Sequence, residues 1–155
     1  MLISGKGRYA ITAMMNLAIH SNKGPLSLAD ISQTQGISLS YLEQIFARLR
    51  KKGLVHGTRG RRGGYRLGRA ANAISMADII RAVEDPGDEI EATQELEVVA
   101  NPNSPTQPYW DSLHTQLFDF LENIDLAQSI TQPQLLDQAG IGEMRTPATP
   151  SYTNA

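Results

Sequence analysis

Residues 28–67 carry two short helical patterns, a tight turn between them and a glycine-tipped hairpin pattern after them, and this order constrains the fold more than any other feature of the chain. The first pattern follows Ser27, which has Asp30 three residues on as a capping partner, and runs to about Gln35. Gly36 supplies the turn. The second spans about residues 39–52 and is expected to bury Leu39, Leu42, Ile45, Phe46 and Leu49, with Ala29, Ile31 and Ile37 turned to the same core. Residues 54–58 and 64–67 then read as two strands around the tip Arg59, Gly60, Arg61, Arg62 and Gly63, whose glycines are free to take positive φ. Eight Lys/Arg stand between Arg48 and Arg66, against only Asp30 and Glu43 as acids in the whole stretch. A helix-turn-helix followed by a basic ribbon suits duplex DNA. The helix fits a major groove about 12 Å wide, and the ribbon can lie on the backbone or in the minor groove.

The net charge of −2 and pI near 5.9 hide a strong polarity. Residues 1–69 hold 12 Lys/Arg and 2 Asp/Glu, whereas residues 70–155 hold 2 Lys/Arg and 14 Asp/Glu. Such a basic half is an electrostatic footprint for phosphate, and the acidic half faces elsewhere. The chain has no cysteine, which excludes disulfides, thiolate zinc sites and Cys-ligated iron–sulfur clusters. Without a signal-peptide pattern or an apolar run of about 18–20 residues, the sequence gives the expectation of a cytoplasmic protein with no membrane partner.

Around the central stretch, residues 7–21 read as a supporting helix with Tyr9, Ala13, Leu17 and His20 at helical spacing and Ile11, Met14, Met15, Ala18 and Ile19 widening its apolar face. Gly5, Lys6 and Gly7 lack the upstream glycine and following Ser/Thr of a Walker A loop, so Lys6 and Arg8 are read instead as phosphate contacts. The wing glycines do not form a dinucleotide fingerprint either. Ser40 and Glu43 also fit a capping box, although Ser38 is the better cap for apolar spacing that begins at Leu39. On the functional reading, Ser40, Glu43 and Gln44 reach base edges from the start of a recognition helix. Gln can pair with adenine and Glu can accept from cytosine N4. Ser75 and Asp78 form a capping box for a helix over Met76–Glu84 that packs back on the domain.

Three motifs in this order carry a resemblance: Gly5-Lys6-Gly7-Arg8-Tyr9-Ala10, Ser40-Tyr41-Leu42-Glu43-Gln44, and the glycine-arginine run from Gly60 to Tyr65. From about residue 1 to 138 the chain resembles the Rrf2 family of bacterial transcription regulators, and within it the iron–sulfur cluster regulator (IscR-type) branch. The resemblance implies a mainly α fold with a small β wing: a winged helix-turn-helix domain plus a long dimerisation helix. No Ser/His/acid order, paired carboxylates or phosphate loop emerges from the sequence, so no enzymatic activity is expected. With the charge pattern, the expected DNA contacts are Lys6, Arg8, Ser38, Ser40, Tyr41, Glu43, Gln44, Arg48, Arg50, Lys51, Arg59, Gly60, Arg61 and Arg62, with Arg59 in the minor groove.

The expected layout is a DNA-binding domain over residues 1–84, an acidic loop over 85–107, a dimerisation helix and short C-terminal helix over 108–138, and a disordered tail over 139–155. Acids in the loop lack the spacing of a Ca²⁺ site. Regulators of the branch hold a cluster there through three cysteines and a further ligand. Counting without gaps from Ala82 to Trp110, those positions fall on Ala92, Val98, Ser104 and Gln107, none a competent iron ligand. No metal and no cofactor is therefore expected. His114 has no second ligand on its helix face. The helix from about residue 106 or 108 to 123 bears Trp110, Leu113, Leu117, Phe118, Phe120 and Leu121, more apolar surface than a lone terminal helix can cover, so a two-fold homodimer is expected. Asp125 then starts a short helix. Three alternatives remain for the signal: cluster-independent control by the regulator's own concentration, a small molecule or a partner protein; a ligand bound in a cavity between the wing domain and the long helix, where the loop lies; or an adaptor role through heterodimerisation with a cysteine-bearing paralogue.

Overall fold

A computed structural model describes residues 3–84 and 103–131. Within them lie helices α1 (Gly5–Ile19), α2 (Leu28–Gln35), α3 (Leu39–Lys51), α4 (Met76–Glu84), α5 (Gln107–Glu122) and α6 (Leu126–Thr131), with strands β1 (Val55–Thr58) and β2 (Gly64–Leu67) between α3 and α4. Residues 85–102 of the expected 85–107 loop, residues 132–138 and the expected tail lie outside the described residues.

Local chemistry sets the helix limits. Ser4 caps α1, accepting from Gly7 N at 3.1 Å. Ser27 caps α2 through Asp30 N, and Gly36 closes it in the left-handed region at φ 67°, a conformation costly for any residue with a Cβ. At α4 the box is reciprocal: Ser75 N donates to Asp78 Oδ2 at 3.1 Å and Asp78 N to Ser75 Oγ at 3.0 Å. Asp125 and Gln128 repeat the arrangement at α6.

The strands pair antiparallel, Val55 opposite Leu67 and Thr58 opposite Gly64. The ribbon is stapled to the α1–α2 link: Leu26 N donates to Tyr65 O at 3.0 Å, and Tyr65 N to Leu26 O at 2.8 Å. Phe46 of α3 meets the Tyr65 ring at 4.8 Å, so the ribbon and α3 share one core. That core takes Ala10, Met14 and Leu17 from α1, Ile31 from α2, Leu42, Ile45, Phe46 and Leu49 from α3, and Ile79, Ile80 and Val83 from α4.

Three expectations of burial are corrected. Leu39 is 44% exposed, because the first residue of α3 projects past the domain edge. Ala29 is exposed at the outer side of α2, and Ile19 is exposed at the last turn of α1. The core also continues beyond residue 84. Leu121 and Leu126 are buried in it, Met76 N donates to Ile124 O, and Leu126 N donates to Ile74 O. The boundary at 84 is thus a break in sequence character and not in packing. Leu121, expected at a dimer interface, is buried in this core, and Leu117, Phe118 and Phe120 pack partly against it.

Candidate nucleic-acid interface

Ser38 is the cap of α3: its Oγ accepts from Tyr41 N at 3.3 Å, and its carbonyl accepts from Leu42 N at 3.0 Å. Ser40 is therefore not required as a cap. It stands exposed with Glu43 and Gln44, three and four residues on, which puts the three on one face of the first turns. Tyr41 is half-buried, its ring set edge-on to Tyr9 at 5.7 Å and 88°. This pair joins the starts of α1 and α3. Lys6 is half-buried and Arg8 exposed, both in the first turn of α1 beside Tyr9. Reading Tyr9 as part of the buried face misses that it is 44% exposed. The signal was its place one residue after Arg8, in a turn dense with cations.

Arg48 departs from expectation. It is half-buried, and its Nη1 donates to Val83 O at 3.0 Å, at the C-terminal end of α4. A long side chain in the middle of α3 has a carbonyl of the neighbouring helix within reach, and a helix C-terminus attracts a cation. Arg50 and Lys51 lie exposed in the last turn of α3.

At the wing, Gly60 takes φ 118°, and Gly63 N closes the turn on Gly60 O at 2.9 Å. A Cβ at Gly63 would come within 2.7 Å of Thr58 O, so the turn demands glycine there for space. Arg59, Gly60, Arg61 and Arg62 are all exposed. No Asp or Glu occurs in the sequence between Glu43 and Asp78, so the ribbon itself brings arginines and no acid.

A cleft of about 610 Å³ is lined by Lys52, Leu54, Arg69, Asp78, Arg81, Glu84, His114 and Phe118 among others. Arg69 approaches Asp78 at 3.8 Å, while Arg81 pairs with Glu122 and lies 5.1 Å from the Phe118 ring centre. On α5, Tyr109 and Trp110 are 66% and 51% exposed, whereas Leu113 is half-buried.

A capped helix-turn-helix with a basic, glycine-tipped ribbon beside it defines a winged-helix DNA-binding regulator. Residues 3–132 match the Rrf2 family model, described as an iron-dependent transcriptional regulator. The chain belongs to the Rrf2 family of transcription regulators and is not an enzyme. It is 45% identical over 148 residues to the HTH-type transcriptional regulator IscR of Erwinia tasmaniensis, covering 94% of this chain and 90% of that protein. It is 44% identical over 137 residues to IscR of Vibrio parahaemolyticus, covering 88% and 82%. Among solved structures, T. potens IscR superposes with a TM-score of 0.68 at 34% identity, covering 92% of each chain. CymR, the global cysteine regulator of B. subtilis, gives 0.66 at 37% identity, covering 83% of this chain and 95% of that one.

The family's iron raises the question of ligands. The chain has no cysteine. Of the four gap-free positions, Ser104 and Gln107 are described, and both are engaged locally. Ser104 Oγ pairs with Thr106 Oγ1 at 2.9 Å, and Gln107 Nε2 donates to Asp111 Oδ1 at 2.8 Å. Among the described residues no group of three His, Cys, Asp or Glu side chains is gathered for a metal. The donor set does not fit a thiolate-held cluster. Among the described residues, no helix is long and apolar enough to cross a membrane.

Proposed function

We propose that the chain is a sequence-specific DNA-binding regulator that works as a homodimer on a pseudo-palindromic operator, without an iron–sulfur cluster. The observation that carries this reading is the exposed set Ser40, Glu43 and Gln44 on a capped helix next to an acid-free arginine wing. Gln44, Glu43 and Ser40 contact base edges in the major groove. Lys6, Arg8, Arg50, Lys51, Arg61 and Arg62 hold phosphates, with Ser38 and Tyr41 at the helix start, Gly60 shaping the tip and Arg59 in the minor groove. Arg48 positions α3 from inside. Two copies meet through the first half of α5, where Tyr109 and Trp110 form an exposed aromatic pair with rings 5.6 Å apart. Leu113 extends that seam, and Leu117, Phe118 and Phe120 border it. The dyad sets the recognition helices about 34 Å apart, one duplex turn.

The test is selection of bound sites from a random duplex pool by protein purified aerobically and anaerobically. A two-fold symmetric consensus obtained with colourless protein supports the reading. An asymmetric or absent consensus, or a visible iron chromophore retained through purification, contradicts it. A second reading places a small-molecule effector in the cleft between α4 and α5, favoured by its volume and its mixed lining of Arg69, His114 and Phe118. Gel shifts with and without metabolite extract separate the two.

A further inference from the structure

Cations at a helix N-terminus are electrostatically misplaced. The α1 dipole puts positive charge at its start, Lys6 and Arg8 add two more charges, and the first turn contains no acid. The missing anion comes from 80 residues away. Glu84, last residue of α4, turns Oε1 onto the start of α1 and accepts from Ser4 N at 3.1 Å and from Ser4 Oγ at 2.7 Å. Ser4 Oγ in turn accepts from Gly7 N, so one carboxylate, one hydroxyl and one amide form a chain into the helix. The fit is close. A Cβ at Gly7 would lie 3.0 Å from Glu84 Oε1, and Gly7 is buried. A carboxylate at the end of α4 is disfavoured by that helix's own dipole, and Arg48 offsets part of this by donating to the Val83 carbonyl.

We infer that Glu84 is a positioning residue for DNA binding: it neutralises and fixes the start of α1 so that Lys6 and Arg8 are held ready for phosphate. The inference rests on the reading of Lys6 and Arg8 as phosphate contacts. It also has a sign that simple electrostatics reverses. Removing an acid from a DNA-facing surface tightens binding if charge alone matters; removing this one loosens binding, because the cations behind it lose their placement.

The experiment titrates the full chain, wild type and variants, with a mixed-sequence duplex of about 30 base pairs across a salt series. Lys6→Ala and Arg8→Ala are the reference variants, each expected to flatten the slope of log affinity against log salt by about 0.9. Glu84→Gln is expected to weaken binding about 5- to 10-fold and to flatten the slope by about one. Ser4→Ala should act in the same direction, and the double variant should be no worse than the more severe single one. A loss of folded protein lowers the active fraction and leaves the slope alone, so the slope distinguishes positioning from mere destabilisation. If Glu84→Gln does not fold, Ser4→Ala decides. An unchanged slope in the deciding variant, or tighter binding by Glu84→Gln, overturns the inference while the reference variants still respond. If Lys6→Ala and Arg8→Ala leave the slope unchanged, the phosphate-contact reading itself fails and the inference falls with it.

Discussion

The wing should be separable from the rest of the domain by one methyl group at Gly64. A Cβ built there would stand 2.5 Å from Leu26 O, 2.6 Å from Leu26 C and 3.0 Å from Ser27 N, all backbone atoms that cannot rotate away. Ordinary contact begins at 3.4 Å, so β2 and the α1–α2 link must part by about 0.9 Å. The two hydrogen bonds between Leu26 and Tyr65, at 3.0 and 2.8 Å, lie directly across that gap. With each worth about 0.5–1.5 kcal/mol net, and strain added, Gly64→Ala should cost roughly 2–3 kcal/mol. Gly57→Ala on the facing strand is the control. Its Cβ would meet only the Tyr65 ring edge at 3.8 Å, and it should change stability by no more than about 0.5 kcal/mol. Urea unfolding measures both, read as midpoints at constant slope. Because Arg59, Arg61 and Arg62 hang from this ribbon, Gly64→Ala should also flatten the salt dependence of DNA binding by about one to three phosphate contacts. Equal urea midpoints for the two variants would refute the claim that Leu26 pins the wing.

Three further perturbations address the proposed contacts. Glu43→Ala should broaden the site selected from a random pool while leaving nonspecific binding intact or tighter; an unchanged consensus counts against a base contact. Arg59→Ala should weaken specific binding by about 1–3 kcal/mol, measured by titration at fixed salt, and an effect no larger than that of a distant surface arginine removes it from the groove. Trp110→Asp should convert the dimer to monomer in sedimentation and weaken operator binding, while a dimer unchanged at low micromolar protein moves the interface elsewhere.

Local patterns were the legible part of the fold. Ser27, Ser38, Ser75 and Asp125 were readable as caps because each cap needs only a side-chain oxygen a few residues from the amide it accepts from or the acid it faces. The wing was readable from two short strand patterns around a glycine-containing tip. Pairings between distant residues were not. Nothing in the run around Arg48 distinguishes an arginine that reaches Val83 from Arg50, two residues on, which is exposed. Glu84 reads in sequence as the first of an acidic run, yet its partner is Ser4. Periodicity failed at edges: it counts Leu39 and Tyr9 as core because it cannot see where the neighbouring helix stops. It also assigned Leu121 to the dimerisation face together with Trp110, whereas Leu121 is buried in the domain core and Trp110 is exposed.

That division of α5 bears on how a chain without cysteines keeps the frame of an iron-dependent family. Protein groups meet the described helix ends on both sides of residues 85–102. At the end of α4, Arg48 covers the Val83 carbonyl and Ser4 holds Glu84. At the start of α5, Gln107 N donates to Ser104 O at 3.0 Å, Pro108 has no amide to satisfy, and Tyr109 N and Trp110 N reach Thr106 O at 3.1 and 3.2 Å. Beyond that start, Leu121 and Leu126 lock the far end of α5 to α4 and α1 through the common core. The described contacts at both ends are thus made between protein groups. The contacts that hold the starts of α1 and α3 and the end of α4 run through Ser4, Glu84, Arg48 and the Tyr9–Tyr41 pair, and none of these side chains is a thiolate. A regulator built this way can lose its cluster ligands and keep the geometry of its recognition surface, which is the condition the proposed cluster-independent binding requires.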